Sequence, residues 1–282
     1  MAGGAAPERF PFVQFEFAYP LGPADGRYVT RSEAGGEVER VVVLTTIGAP
    51  RRSRLRRRPV RADAGGDPKP VPTSRATVIG LERLASDEEA ARWLDALARD
   101  DDALGIHAAD AVRELNALLR AYRAAAADPY VRDVAPAGAT VVRIGYGSGE
   151  DVADGRFADA RELPPPSARS LVRKRAEALM PDERLAAVLG RREELMACEE
   201  LVLRARADVD AGRPREAALQ TRVALEAALT ELPAADGLAQ TREAVARAAN
   251  AALEGEPEPE LQDAVAAAVA AIEAALRKYR RA

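Results

Sequence analysis

A chain of 282 residues carries one cysteine, one histidine, three lysines and an aromatic fraction of only 4%. Each shortage excludes something. A single Cys198 forms no internal disulfide, and with His107 as the one imidazole a Cys/His zinc site cannot be assembled. No stretch reaches the run of about 20 apolar residues that a bilayer span requires. Met1–Arg9 has neither a basic leader nor an apolar core, so a soluble, cytoplasmic protein is expected. With aromatics so sparse, alanine supplies much of the 48% hydrophobic fraction, and each buried residue removes little area from water.

What is present begins with charge. Lys69, Lys174 and Lys278 leave 38 of the 41 basic residues as arginine, set against 45 acids for a net charge of −4. This bias, in an Ala-, Gly- and Pro-rich chain, reads as GC-rich codon usage and weakens arguments built on arginine alone. The length allows one large or two modest domains, each able to bury its own core.

Period-two alternation dominates the first part. Phe15, Phe17 and Tyr19 mark a strand over Phe12–Tyr19, the Pro23–Gly26 turn leads to a second at Arg27–Arg31, and Val38–Ile47 makes a third. Together they predict a three-stranded meander. A long basic loop, 49–74, expected to be mobile, separates it from a fourth strand at Arg75–Leu84. At Ser86 the period changes to 3.6: Ser86 with Glu89 forms a capping box for a helix over Asp87–Arg99, and a longer helix follows the Asp100–Asp102 break to about Ala126. Ala24-Asp25-Gly26-Arg27-Tyr28 recurs as Ala153-Asp154-Gly155-Arg156-Phe157. Asp-Gly suits tight hairpin turns, so the second copy is expected to close a hairpin of Val141–Tyr146 with Arg156–Arg161.

Leu163-Pro164-Pro165-Pro166 marks a domain boundary, because consecutive prolines remove backbone donors and stiffen the chain. The expected domains are 10–163 and 167–282. Helices are predicted over Ser167–Met180, Asp182–Ala211, Pro214–Leu232, Asp236 to about Leu253 with Gly255 at the C′ position, and about Glu258–Arg280. Leu261, Val265, Val269, Ile272, Leu276 and Tyr279 form one continuous stripe on the last, able to face its own bundle or a second copy of the chain. The predicted class is therefore α+β: an N-terminal antiparallel sheet with two covering helices, followed by an all-α antiparallel helical bundle or short solenoid.

Few motifs carry chemistry. Arg51, Arg52, Arg54, Arg56, Arg57, Arg58 and Arg61 place seven cations and no acid in eleven residues, and without them the chain would carry −11. Such an arm can hold phosphates through bidentate guanidinium contacts, although it lacks the aromatics that base stacking needs. Gly145-Tyr146-Gly147-Ser148-Gly149 follows a strand, but Glu150 and Asp151 come next and would repel phosphate, so it is expected to be a glycine-rich connection. His107 and Cys198 sit inside predicted helices with no nucleophile or base in register and are read as packing or surface residues. Asp100–Asp102 and Glu256, Glu258 and Glu260 lack the spacing of a calcium loop. No catalytic residue, metal ligand or cofactor is assigned.

Gly212 stands at an inter-helix turn, Glu216-Ala217 opens the following helix, and Ala224-Leu225 lies seven residues later. Over Leu203–Leu229 this resembles a single tetratricopeptide-type helical hairpin, with Arg204 and Asp208 where that family usually has leucine and an aromatic. No second copy occurs at the repeat period of about 34 residues. The resemblance implies a helical-hairpin scaffold. The sequence thus points to a non-catalytic interaction or scaffold protein taking a protein partner through its helical domain. The alternative is a protein that binds nucleic acid or another polyanion through Arg51–Arg61, and a third reading is an enzyme using dispersed carboxylates in an interdomain cleft.

Overall fold

A computed structural model describes residues 8–31, 36–48, 72–163, 184–233 and 236–280. These form two compact units divided at 168/169, here called the sheet unit and the helical unit. The fold is α+β: an N-terminal six-stranded antiparallel sheet followed by helices. Among the described residues no helix is long and apolar enough to cross a membrane.

The strands are β1 (Phe10–Phe17), β2 (Gly26–Thr30), β3 (Arg40–Ile47), β4 (Thr73–Gly80), β5 (Val141–Gly147) and β6 (Asp159–Glu162), in the order β2-β3-β4-β1-β5-β6. The meander expected from the first three strands is therefore corrected. β2, β3 and β4 form it, and β1 lies between β4 and β5. Burial explains the rearrangement. β1 buries Val13, Phe15 and Phe17 on one face and Phe12 and Gln14 on the other, so it gains most from a central position. β2 is short, with alternate residues exposed, and suits an edge. β4 begins earlier than expected, with Thr73 and Ser74 paired to Ile47 and Thr46, which shortens the predicted loop.

Two helices cover one face, α1 (Asp87–Leu97) and α2 (Asp101–Ala126). The first starts where the sequence placed it, whereas the second begins inside the expected Asp100–Asp102 break, at Asp101, with Asp100 as its cap. Ser86 accepts from the Glu89 N–H at 3.2 Å, and Asp100 accepts from the N–H groups of Asp102 and Ala103, both at 3.0 Å. Leu104, Ala108, Leu115 and Leu119 of α2 pack on Val13, Phe15, Val78 and Ile144. On the opposite face lies a short helix the sequence did not suggest, α3 (Gly149–Ala153), whose Val152 packs with Phe12, Val43 and Ile79. The glycine-rich connection is thus β5-α3-β6, and the paired strand is Asp159–Glu162 rather than Arg156–Arg161. Of the two Asp-Gly copies, Gly155 adopts the left-handed φ of +81° that a turn glycine serves, whereas Gly26 simply opens β2.

The helical unit contains α4 (Ala197–Asp210), α5 (Pro214–Glu231), α6 (Asp236–Ala239), α7 (Arg242–Glu254) and α8 (Pro259–Tyr279). Side-chain pairs at two levels show helices running antiparallel: Arg222 with Asn250 and Glu226 with Arg242 across α5/α7, and Glu199 with Arg280 and Arg206 with Glu273 across α4/α8. Gly212, at φ +63°, makes the α4–α5 turn. Two expected helices differ. The predicted Asp182–Ala211 helix is broken where Arg191 takes φ +52° and the Arg192 N–H bonds back to the Ala187 carbonyl. The predicted fourth helix divides into α6 and α7 at Thr241, and Gly255 is extended rather than left-handed. The predicted Ser167–Met180 helix and the triple proline lie outside the described residues. On α8, Val265, Val269, Ile272 and Leu276 of the stripe are buried within the chain's own unit.

Candidate functional site

The seven arginines of the predicted anion-binding arm, Arg51, Arg52, Arg54, Arg56, Arg57, Arg58 and Arg61, lie outside the described residues. The glycine-rich connection does open a helix, as a phosphate cradle would. That helix is five residues long, and the Ser148 hydroxyl already accepts from the Asp151 N–H and donates to its carboxylate at 2.6 Å. Arg27 neutralises Glu150 through two bonds of 3.1 and 3.0 Å, and Arg156 lies 2.8 Å from Asp151. Acidic side chains occupy the place an anion would take. The Asp100 carboxylate serves as the cap of α2, and Glu256 accepts from the Gln262 side chain at 3.4 Å. Among the described residues no group of three His, Cys, Asp or Glu side chains is placed to hold a metal ion.

Cys198 is fully buried at the start of α4. Burial and the neighbouring Glu231 carboxylate push its thiol up to about 12, so the sulfur stays protonated and unreactive. Glu231 itself accepts from the backbone N–H groups of Ala197 and Cys198 at 3.2 and 2.9 Å, closing an N-terminus that Met196 cannot cap. Beside it, buried Glu199 holds Arg184 at 2.6 and 2.8 Å and Arg280 at 3.1 and 2.7 Å. Burial alone would raise this carboxyl. The two guanidinium groups and the Met196 N–H outweigh that effect and hold it below the usual range. These groups fasten segments together and are not arranged for chemistry.

The sheet unit contains a different kind of feature, a cleft of about 540 Å³ at the Phe10 end of β1. Its origin can be traced to one residue. The Glu16 carbonyl accepts from Thr140 on the β5 side, and the Arg9 N–H donates to Leu84 on the β4 side. By strand alternation the odd residues of β1, Pro11 included, face β4. Pro11 has no N–H to give, so the β1–β4 ladder stops at the Phe12–Ile79 pair and resumes only as the Arg9–Leu84 bridge. Two residues on the β1 side then face four, Gly80–Arg83, and the longer side bulges outward. Gly80 permits the approach: a Cβ there would lie 3.3 Å from Pro11 Cγ.

Val13, Val78, Ile144 and Ala111 line the cleft with buried apolar surface, and half-buried Trp93 adds an aromatic wall. Exposed His107 meets the Trp93 ring edge-on, with centroids 6.3 Å apart. Glu39, Arg40, Glu82 and Asp110 complete the lining. The sequence reads His107 as a packing or surface residue, and it is exposed; the cleft itself is not foreseen, because Gly80–Leu84 reads as the continuation of a strand. Pro11 within an apolar run was the signal present.

The chain is thus an α+β protein with an open cleft in its sheet unit and an ion-paired helical bundle. No family matches it, and neither a curated protein nor a solved structure is found similar to it.

Proposed function

We propose that this is a non-catalytic interaction protein, acting in the cytoplasm, whose helical unit takes a protein partner. One observation carries the reading: the helix α5 turns a mostly small-residue face inward (Ala217, Ala218, Thr221, Ala224, Leu225 and Ala228) and keeps large apolar side chains outside. Ala218, Ala224 and Ala228 are at 0% exposure, while Leu219 and Val223 stand 38% and 54% exposed. The latter two are four residues apart on α5 and form one outward row. Large apolar groups on a rigid helix, with the Glu226–Arg242 pair beside them, are suited to the centre of a protein contact. The test is a photo-crosslinker replacing Val223, with exposed Val29 of the sheet unit as control. One discrete protein adduct from position 223 and none from position 29 supports the proposal; no adduct, or equal labelling from both, removes it.

A second reading rests on charge segregation: the seven arginines of Arg51–Arg61 against the −11 of the remaining chain favour a polyanion such as nucleic acid. Affinity for duplex DNA should then fall steeply as salt rises. A flat dependence, or affinity unchanged when these arginines become serine, eliminates it.

A further inference from the structure

We propose that the cleft beside Pro11 is a binding site for a small organic cation, an ammonium group carried on a flat apolar body. This goes beyond the protein-partner reading and concerns the other unit, so each can fail without the other.

Three independent features converge on that ligand. The first is the cost of keeping the cleft open. A continued β1–β4 ladder would pair the backbone groups of Gly80–Arg83 and close the gap, yet the strand carries the residue that forbids it and the partner carries a glycine that accommodates the proline ring. Bulges of this kind recur beside binding sites.

The second is lining and size. About 540 Å³ falls within the range of small-molecule sites, roughly 300–1,000 Å³, and such sites pair an apolar surface with a few polar groups. Val13, Val78 and Ile144 give an apolar bed, and Trp93 offers the indole, the side chain whose π-face attracts cations most strongly.

The third is charge. Elsewhere in the sheet unit Glu16, Asp87, Asp95, Asp133 and Glu150 each meet an arginine. At the cleft Asp110 is likewise held by Arg113, and Arg40 lies 3.8 Å from Glu114. Glu39 and Glu82 meet no cation among the described residues. With Asp110 and Arg40 each tied to an oppositely charged neighbour, these two carboxylates set the sign of the field, attracting an ammonium group and repelling a carboxylate or phosphate.

Trp93 is the chain's single tryptophan, so its emission reports on the cleft directly. The full chain is titrated with phenethylammonium, with neutral 2-phenylethanol and with phenylacetate anion, three probes of one shape, and calorimetry is run in parallel. A saturable response to phenethylammonium is expected, with 2-phenylethanol about tenfold weaker and phenylacetate silent. Glu39→Gln with Glu82→Gln should weaken phenethylammonium several-fold, narrow the preference over 2-phenylethanol to what Trp93 alone supplies and leave the melting temperature unchanged. Both glutamates are exposed, so the variant folds. The proposal is overturned by no saturable signal from phenethylammonium in either measurement, by phenylacetate binding as well as the cation, or by a double variant that keeps wild-type affinity.

Discussion

The sheet unit and the helical unit bury their interiors with opposite kinds of side chain. Between the sheet and α2 the space is filled by Phe15, Phe17, Leu115, Leu119 and Ile144, each almost fully buried. Between the helices of the second unit nearly half of the buried apolar positions are alanine, interleaved with Val202, Leu225, Val245, Val269, Ile272 and Leu276. A sheet covered by helices needs large side chains to span its gap, whereas helices lined by small residues can approach toward the short end of the usual spacing of about 8–10 Å. Stability is accordingly concentrated in a few residues in one unit. In the other it is spread over many small contacts and supplemented by ion pairs at the helix ends, such as Glu199 with Arg184 and Arg280. The sheet unit should therefore fail when a side chain is removed, and the helical unit when one is added.

The largest effect should come from Phe15→Ala. Loss of this buried ring should cost about 4 kcal/mol and lower the transition followed by Trp93 emission, which reports on the sheet unit. Ala268→Phe should cost about 3 kcal/mol in the helical unit, because a ring cannot fit at a position of 0% exposure packed among neighbouring helices. An unchanged far-UV melting curve for that variant would remove close alanine packing as the organising feature of α8 and erase the contrast between the units.

A smaller effect tests the ion pairs. Glu199→Gln should cost about 2 kcal/mol, since two arginines lose their shared carboxylate but are themselves partly exposed and can return to water. The sign with pH follows from a folded carboxyl held below its ordinary 4.5. Its contribution is fully present above that value and is lost as pH falls through the lower folded value. Wild type should thus lose helical-unit stability on acidification below about pH 4.5, and the variant should lose less. Equal acid sensitivity of the two proteins would assign the effect to other carboxylates.

Much of the local structure was legible in the chain. Ser86 and Pro214 begin helices where capping chemistry places them, Gly212 turns one helix into the next, and the alternation around Phe15 and the β-branched run around Val42 mark strands. These features depend on neighbours within a few residues. Strand order did not follow, because it depends on which strand is apolar on both faces once all six compete for the centre. The break at Arg191 and the helix α3 were also invisible, each being set by hydrogen bonds that form only when the chain has already turned.

The cleft shows the division most plainly. The sequence by itself determined that Pro11 has no N–H, that residue 80 is glycine, that Trp93 is the sole indole and that Glu39 and Glu82 are acidic. Only the tertiary structure decided that these residues share one opening. Pro11 interrupts a ladder solely because β4 lies on its odd-numbered side, and that placement is a long-range consequence of burying β1 at the centre of the sheet. Short-range chemistry is written in the order of residues, whereas juxtaposition across dozens of residues is settled by which surfaces leave water together.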